Sequence, residues 1–223
     1  MTTSKTNQSG FGAIELIIIV AVMAALGGVG FYVLHSKKAA PVSVAASTPD
    51  TSVTVPADWK TYDLTDIGVS IKAPSDWNTN GGGTSNNDYL NITYTSVEKA
   101  GDGTTPAVGV NVNKITLTGK PGQAAFEAEF LDPSGGANAN LAGKPTVKHQ
   151  RLTIGGQSWI RRDFDTSTGA MTGLYKWEGS YGIGIEIIVA NDSPSDPGTT
   201  LRTKLNPLVT QYLYPVADSL KVN

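Results

Sequence analysis

The stretch Tyr181-Gly182-Ile183-Gly184-Ile185-Glu186-Ile187-Ile188-Val189 decides the fold. Ile183, Ile185, Ile187 and Val189 fall on one face of an extended chain, because side chains alternate along a strand, and branched residues pack well on a half-buried pleated surface. Gly179-Ser180 just before it has the length and composition of a hairpin turn, so Met171 to Glu178 is the partner strand. Further back, Gly155-Gly156 joins Val147–Ile154 to Gln157–Phe164 in the same way. Nearer the start, Ile67, Val69, Ile71 and Ala73 alternate with Gly68, Ser70 and Lys72, and Leu90, Ile92 and Tyr94 alternate with Asn91, Thr93 and Thr95. Val108, Val110 and Val112 continue the pattern; the change of phase to Ile115 and Leu117 predicts a bulge or register change near Asn113.

Two segments have helical spacing instead. Gln123 to Leu131 is Ala-rich with Phe126 and Phe130 four apart, and Pro133-Ser134-Gly135-Gly136 ends it. Leu201, Leu205, Leu208, Tyr212 and Leu213 recur at helical intervals; Pro207 either kinks this helix or starts a second one capped by Asn206, and Pro215 is expected to break it before Leu220. The expectation for residues 58–223 is an α+β domain, an antiparallel β-sheet sandwich flanked by two helices.

The whole chain has 223 residues and a formal net charge of −2, room for one anchor and one domain of ordinary size. Beyond Lys38 there are 14 basic and 18 acidic residues, so this part is near −4 and carries no signal of a nucleic-acid surface. Cysteine is absent, which excludes disulfides and Cys-ligated metal.

Phe11 to Leu34 is apolar apart from Glu15. About 24 residues at about 1.5 Å each give a helix of roughly 36 Å, enough to cross a hydrocarbon core of about 30 Å with some tilt. An isolated carboxylate in such a helix costs roughly 3 kcal/mol and calls for a partner. A secretory signal peptide would need a shorter apolar core and a small-residue cleavage site, and Ala39-Ala40-Pro41 matches one poorly. An ordinary signal anchor would tolerate Glu15 close to the interface. Lys37 and Lys38 after the helix would favour a cytoplasmic C-terminal end by the positive-inside rule.

The polar leader ending in Gly10, then Phe11, Glu15 and the long apolar helix resemble the class III signal of type IV pilins and pseudopilins. The resemblance covers about the first 35 residues. It implies a leader over 1–10 cleaved after Gly10 by a cytoplasmic-side prepilin peptidase, a membrane helix over 11–35, and an extracytoplasmic remainder. In that family the freed, methylated amine of the first mature residue, here Phe11, pairs with the Glu15 carboxylate of a neighbouring pilin-like subunit. Glu15 is thus expected to be an assembly residue, with Gly10 and Phe11 as processing residues. Position 12 is Gly where the family more often has Thr or Ser. Residues 36–57, with Pro41 and a run of Ala, Ser, Thr and Val, read as a flexible linker in place of the family's continuing helical spine.

The second resemblance is to the PsbP-like family, carried by Tyr62, the strand Gly68-Val69-Ser70-Ile71-Lys72, the turn Ala73-Pro74-Ser75-Asp76-Trp77 and the C-terminal helix. It spans residues 59–222 and implies a fold more than a chemistry, since members serve as scaffolds and binding proteins.

Little in the chain suggests catalysis, and no enzyme activity, cofactor or metal is expected. The two histidines are His35, beside the membrane segment, and His149 in a predicted strand, where a solvated role is expected. Gly81-Gly82-Gly83 lacks the Lys-Ser/Thr of a phosphate loop and reads as a loop between strands. Arg161 and Arg162 are adjacent in a strand and must point to opposite faces, one to solvent and one to a buried or paired position, with Asp163 or Asp165 as partner. Asn191 to Asp196 and Asp132-Pro133-Ser134 read as turns, and Trp59, Trp77, Trp159 and Trp177 as core before glycan platforms. The functional expectation is a type IV pilin-like surface protein, a minor pilin or pseudopilin with a head for filament assembly or adhesion; the alternative is a signal-anchored extracytoplasmic binding protein with no filament role.

Overall fold

The computed structural model describes residues 50–86, 90–99, 108–119, 122–132, 146–165, 169–190 and 198–223. They belong to one compact unit, Thr48–Asn223. Gly10, Phe11, Glu15 and the predicted membrane helix lie outside the described residues. Among those described, no helix is long and apolar enough to cross a membrane.

The unit is mostly β, with two sheets and few helices. The strands are β1 (Asp50–Thr51), β2 (Lys60–Leu64), β3 (Val69–Ala73), β4 (Trp77–Asn86), β5 (Leu90–Lys99), β6 (Gly109–Leu117), β7 (Thr146–Ile154), β8 (Gln157–Asp165), β9 (Gly169–Glu178), β10 (Tyr181–Ala190) and β11 (Lys221–Val222). Helix α1 is Gln123–Phe130. The C-terminal helical run comprises α2 (Gly198–Leu208), a π-helical turn (Val209–Leu213) and α3 (Tyr214–Ser219). The large sheet has the order β1-β7-β8-β9-β10-β6-β5-β4, and the small one β11-β3-β2. All pairings are antiparallel except β1 with β7. Val53 and Val55, which follow β1, pack against the core, so the unit reaches back before Ala57.

The central strands of the large sheet are buried on both faces. On one, Ile183, Ile185 and Ile187 join Val110, Val112, Leu174 and Trp159 under the small sheet and the C-terminal helical run, which contributes Leu201, Leu205, Val209 and Leu213. On the other, Ile115, Leu117, Ile160 and Tyr175 pack under Phe126 and Phe130 of α1. This explains the phase change in β6. Its pairing with β5 runs without a shift from Gly109 to Leu117 and its pairing with β10 from Asn111 to Ile115, so no bulge lies at Asn113. Val110 and Val112 serve one face and Ile115 and Leu117 the other. A strand buried on both sides loses simple alternation.

The bulge is in β4, between Asn80 and Gly82. The Gly81–Gly83 run, expected as a loop, is therefore strand. Glycine is needed here because a Cβ on Gly83 would fall within 2.6 Å of the Tyr94 ring of β5.

Both expected glycine hairpins form, with positive φ at Gly155 and Gly156 (56° and 75°) and at Gly179 (62°), which a glycine adopts without steric cost. In the small sheet, Tyr62 Oη bridges the carbonyls of Pro74 and Trp77 (2.8 and 2.5 Å), fixing the turn that leads into β4. Pro215 does not break the C-terminal run. It sits at the start of α3, directly after the π-helical turn, where a missing N–H is tolerated, and the chain leaves helical geometry only at Leu220.

Candidate ligand-binding site

Gly182 and Gly184 point away from the isoleucine face, toward α1. A Cβ on Gly182 would collide with the Phe126 ring, and one on Gly184 would lie 3.1 Å from the Tyr175 ring. The next residue on this face is Glu186. It is paired across β9 with Gly173, and Gly173 is paired in turn with Arg162 of β8. One cross-sheet row therefore runs Arg162, Gly173, Glu186, with Asn111 of β6 beyond. Because Gly173 has no side chain, the Tyr175 ring can lie over it, and Tyr175 Oη donates to Glu186 Oε1 at 2.6 Å.

These residues form part of a cleft of about 290 Å³ beneath α1, walled also by Leu90, Ile92, Ile115, Phe130 and Met171. Arg162 is 1 % exposed. Its guanidinium lies 4.7 Å from the Phe164 ring centroid and 5.5 Å from that of Phe130, close enough for cation–π attraction. Its Nε and Nη2 have no hydrogen-bond partner among the described residues. Burial lowers the pKa of Arg162, while the negative potential of Tyr175, Glu129, Asp132 and Glu186 opposes the shift. Burial likewise raises the Glu186 carboxyl, against the hydrogen bonds from Tyr175 and Asn113 and the Arg162 charge. Burial and the adjacent Glu186 push the Tyr175 hydroxyl well up. The cleft wall thus holds a buried cation, two of whose donors are unpartnered, in the same cross-sheet row as an acid whose pKa is raised.

A larger cleft of about 510 Å³ opens on the other side of α1, along Gln157, Trp159, Lys176 and Trp177. Its charges are already matched: Arg151 pairs with Glu127 at 2.6 Å and Lys176 with Glu178 at 2.8 Å.

The arginine pair divides as strand geometry requires, though neither member is left to solvent. Arg161, half-buried under the C-terminal run, pairs with Asp163 at 3.0 Å and donates to Tyr214 Oη at 2.5 Å. Asp165 pairs instead with Arg202 at 2.7 Å. His149 is exposed in β7. Trp59, Trp77 and Trp159 are buried, and Trp177 is half-buried with its indole N–H donating to Gly179 O. Asn191 to Asp196 lies outside the described residues. Glu186 and Tyr175 were not singled out from sequence; the signal was an acid between Ile185 and Ile187 on the glycine-bearing face of a buried strand.

The chain matches no model of a known protein family, and no curated protein matches it.

Proposed function

We propose that this is a pilin-like, single-pass surface protein whose β-rich head is a binding module. The observation that carries the binding role is Arg162, a guanidinium buried in the wall of a cleft with two donors unpartnered. Folding a charge into such a place is costly, and a bound acceptor offsets that cost. The membrane part of the reading is supported by Gly10, Phe11 and Glu15 at the prepilin spacing and by the apolar run to Leu34. On this reading the N-terminus is cytoplasmic, prepilin peptidase cuts after Gly10, the helix sits in the lipid bilayer, and the head lies outside the membrane. The head is PsbP-like; support comes from the strand at Val69–Ala73, the Pro74-to-Trp77 turn held by Tyr62, and the C-terminal helical run packed on the sheet.

Intact-mass measurement on protein from the membrane fraction tests the processing step. Mature protein beginning at Phe11 with a methylated amine is expected, and a chain retaining Met1 through Gly10 sinks it. The alternative, an anchored binding protein with no filament role, is separated by Glu15→Ala. Loss of incorporation into filaments with retained membrane association favours the pilin-like role, and an unchanged distribution of the protein favours the simple anchor.

A further inference from the structure

The ladder between β8 and β9 stops short of its neighbours. It runs from Asp165 opposite Ala170 to Ile160 opposite Tyr175, whereas β7 stays paired with β8 as far as Gln157, and β10 with β9 as far as Glu178. Gln157, Ser158 and Trp159 of β8 and Lys176, Trp177 and Glu178 of β9 therefore lie beyond the ladder that the two strands share. Side chains span the opening instead: Lys176 Nζ donates to Gln157 Oε1 at 2.6 Å and lies 5.5 Å from the Trp159 ring centroid. The sheet is forked at this end.

The cleft of about 510 Å³ is lined by all six of these residues. Successive side chains of a strand point to opposite faces, so a cleft on one face of a closed sheet would touch every second residue. One that touches three in a row on both strands enters between them. Phe126 of α1 bounds it on one face of the sheet and Leu220 on the other. Each inner edge carries backbone N–H and C=O groups outside the β8–β9 ladder, and an open edge is a template for a further strand. Of the six residues Ser158 is exposed and the others are buried or half-buried, so β8 offers the more accessible edge. Its three residues give about 10 Å of edge at about 3.3 Å per residue. The four charged residues of the lining form two pairs, Arg151 with Glu127 and Lys176 with Glu178, so the lining favours an uncharged occupant.

We propose that the fork between β8 and β9 receives a short, extended, uncharged segment of a partner polypeptide, which adds to the β8 edge at Gln157–Trp159. Main-chain hydrogen bonds supply the affinity, as in other additions of a strand to an open edge. The Lys176–Gln157 clasp marks the inner limit of the site, because beyond it the ladder is closed. This site is separate from the Arg162 cleft and does not depend on it.

Calorimetric titration of the full-length protein in detergent tests this with three probes: an acetylated and amidated hexapeptide alternating threonine and valine, the same peptide N-methylated throughout its main chain, and maltohexaose. Amide hydrogen exchange of the protein is followed in parallel. Saturable binding of the first peptide with slowed exchange at residues 157–159 is expected, with at least tenfold weaker binding of the N-methylated peptide and none of maltohexaose. Ser158→Trp, at an exposed position, fills the fork and should weaken the peptide at least tenfold with an unchanged urea midpoint. If that variant does not fold, the N-methylated peptide and the exchange pattern still decide. Equal binding of the two peptides, saturable binding of maltohexaose, or unchanged exchange at residues 157–159 with every probe overturns the assignment. Protection at residues 90–94 in place of 157–159 would put the peptide in the Arg162 cleft, overturning the fork while leaving the head a binding module. A dimer of the protein alone that Ser158→Trp disperses would give the fork to a second copy of this chain and overturn the partner.

Discussion

Arg162 and Glu186 stand in one cross-sheet row with Gly173 between them, two strands apart rather than in a direct pair. Two strand spacings place their backbones about 10 Å apart. The glycine keeps the acid and the base from closing on each other through an intervening side chain, and Tyr175 fills the gap by reaching Glu186 itself. The row thus holds opposite charges near each other on one buried face without a short salt bridge that would consume the donors of Arg162.

Glu186 gives the head a pH-dependent stability of unusual sign for an acid. Its folded-state pKa is raised above 4.5, chiefly by burial, so the folded state binds the proton more tightly than the unfolded chain does. The contribution is fully present below 4.5 and is lost as pH rises through the higher folded value. Urea unfolding of the protein from pH 4 to 8 should show this decline, and Glu186→Gln should flatten it. A wild-type profile rising with pH over that window would contradict the assignment.

Glu127 should act in the opposite sense and weakly. The hydrogen bond from Arg151 lowers its pKa, so its stabilising effect is present above 4.5 and is lost on acidification. The pair is partly open to water, with side-chain exposures of 36 % and 26 %, and screening keeps such pairs to about 1 kcal/mol or less. Arg151→Gln should lower unfolding free energy by no more than that, and the small loss should shrink at high salt.

The α1 face depends on the absence of side chains in β10. Gly182→Ala would drive a methyl group into the Phe126 ring, which is itself held against Phe130 at 4.4 Å between centroids and against Trp177 at 5.6 Å. Overpacking of this kind costs about 1–3 kcal/mol. The readout is the urea midpoint together with Trp177 fluorescence, and an unchanged midpoint would mean that α1 moves freely enough to absorb the methyl.

Much of the strand order was legible because hairpins with glycine turns state themselves locally: Gly155-Gly156 and Gly179-Ser180 each have short loops and flanking alternation. What could not be read locally was the second buried face. In β6 the shift from Val112 to Ile115 looked like a defect in one face, when it is the hand-over from one core to another. In β4 the Gly81–Gly83 run looked like a loop because nothing nearby in sequence reveals that Tyr94 lies over it. The cleft was hidden for the same reason. Arg162, Gly173 and Glu186 come from three strands, and only the register between those strands puts them in a row. Pro215 misled because its effect depends on where it falls in a helix, and in the first turn of α3 its missing N–H is tolerated.

Arg202 is the point at which the C-terminal helical run is fastened to the sheet. It pairs with Asp165 at 2.7 Å and Asp163 at 3.3 Å, and it donates to Thr172 Oγ1, Phe164 O and Met171 O at 2.6, 2.9 and 2.8 Å. Thr172 Oγ1 donates onward to Asp163 at 2.7 Å, so one guanidinium holds together the ends of β8 and β9. Its loss strands the mostly covered Asp165 carboxylate and removes a donor from two carbonyl oxygens, while Asp163 keeps Arg161 and Thr172. Removing one partner from a buried ionic cluster costs about 3–5 kcal/mol. Arg202→Met, which keeps the aliphatic bulk, should therefore destabilise by about that amount, and Arg202→Lys by less, since an ammonium keeps the charge but not the fork. Differential hydrogen exchange of the C-terminal run distinguishes the cause: exchange should rise most in residues 201–213 and least in β4 and β5. A uniform rise across both sheets would mean that Arg202 contributes to the core as a whole instead of fastening this run.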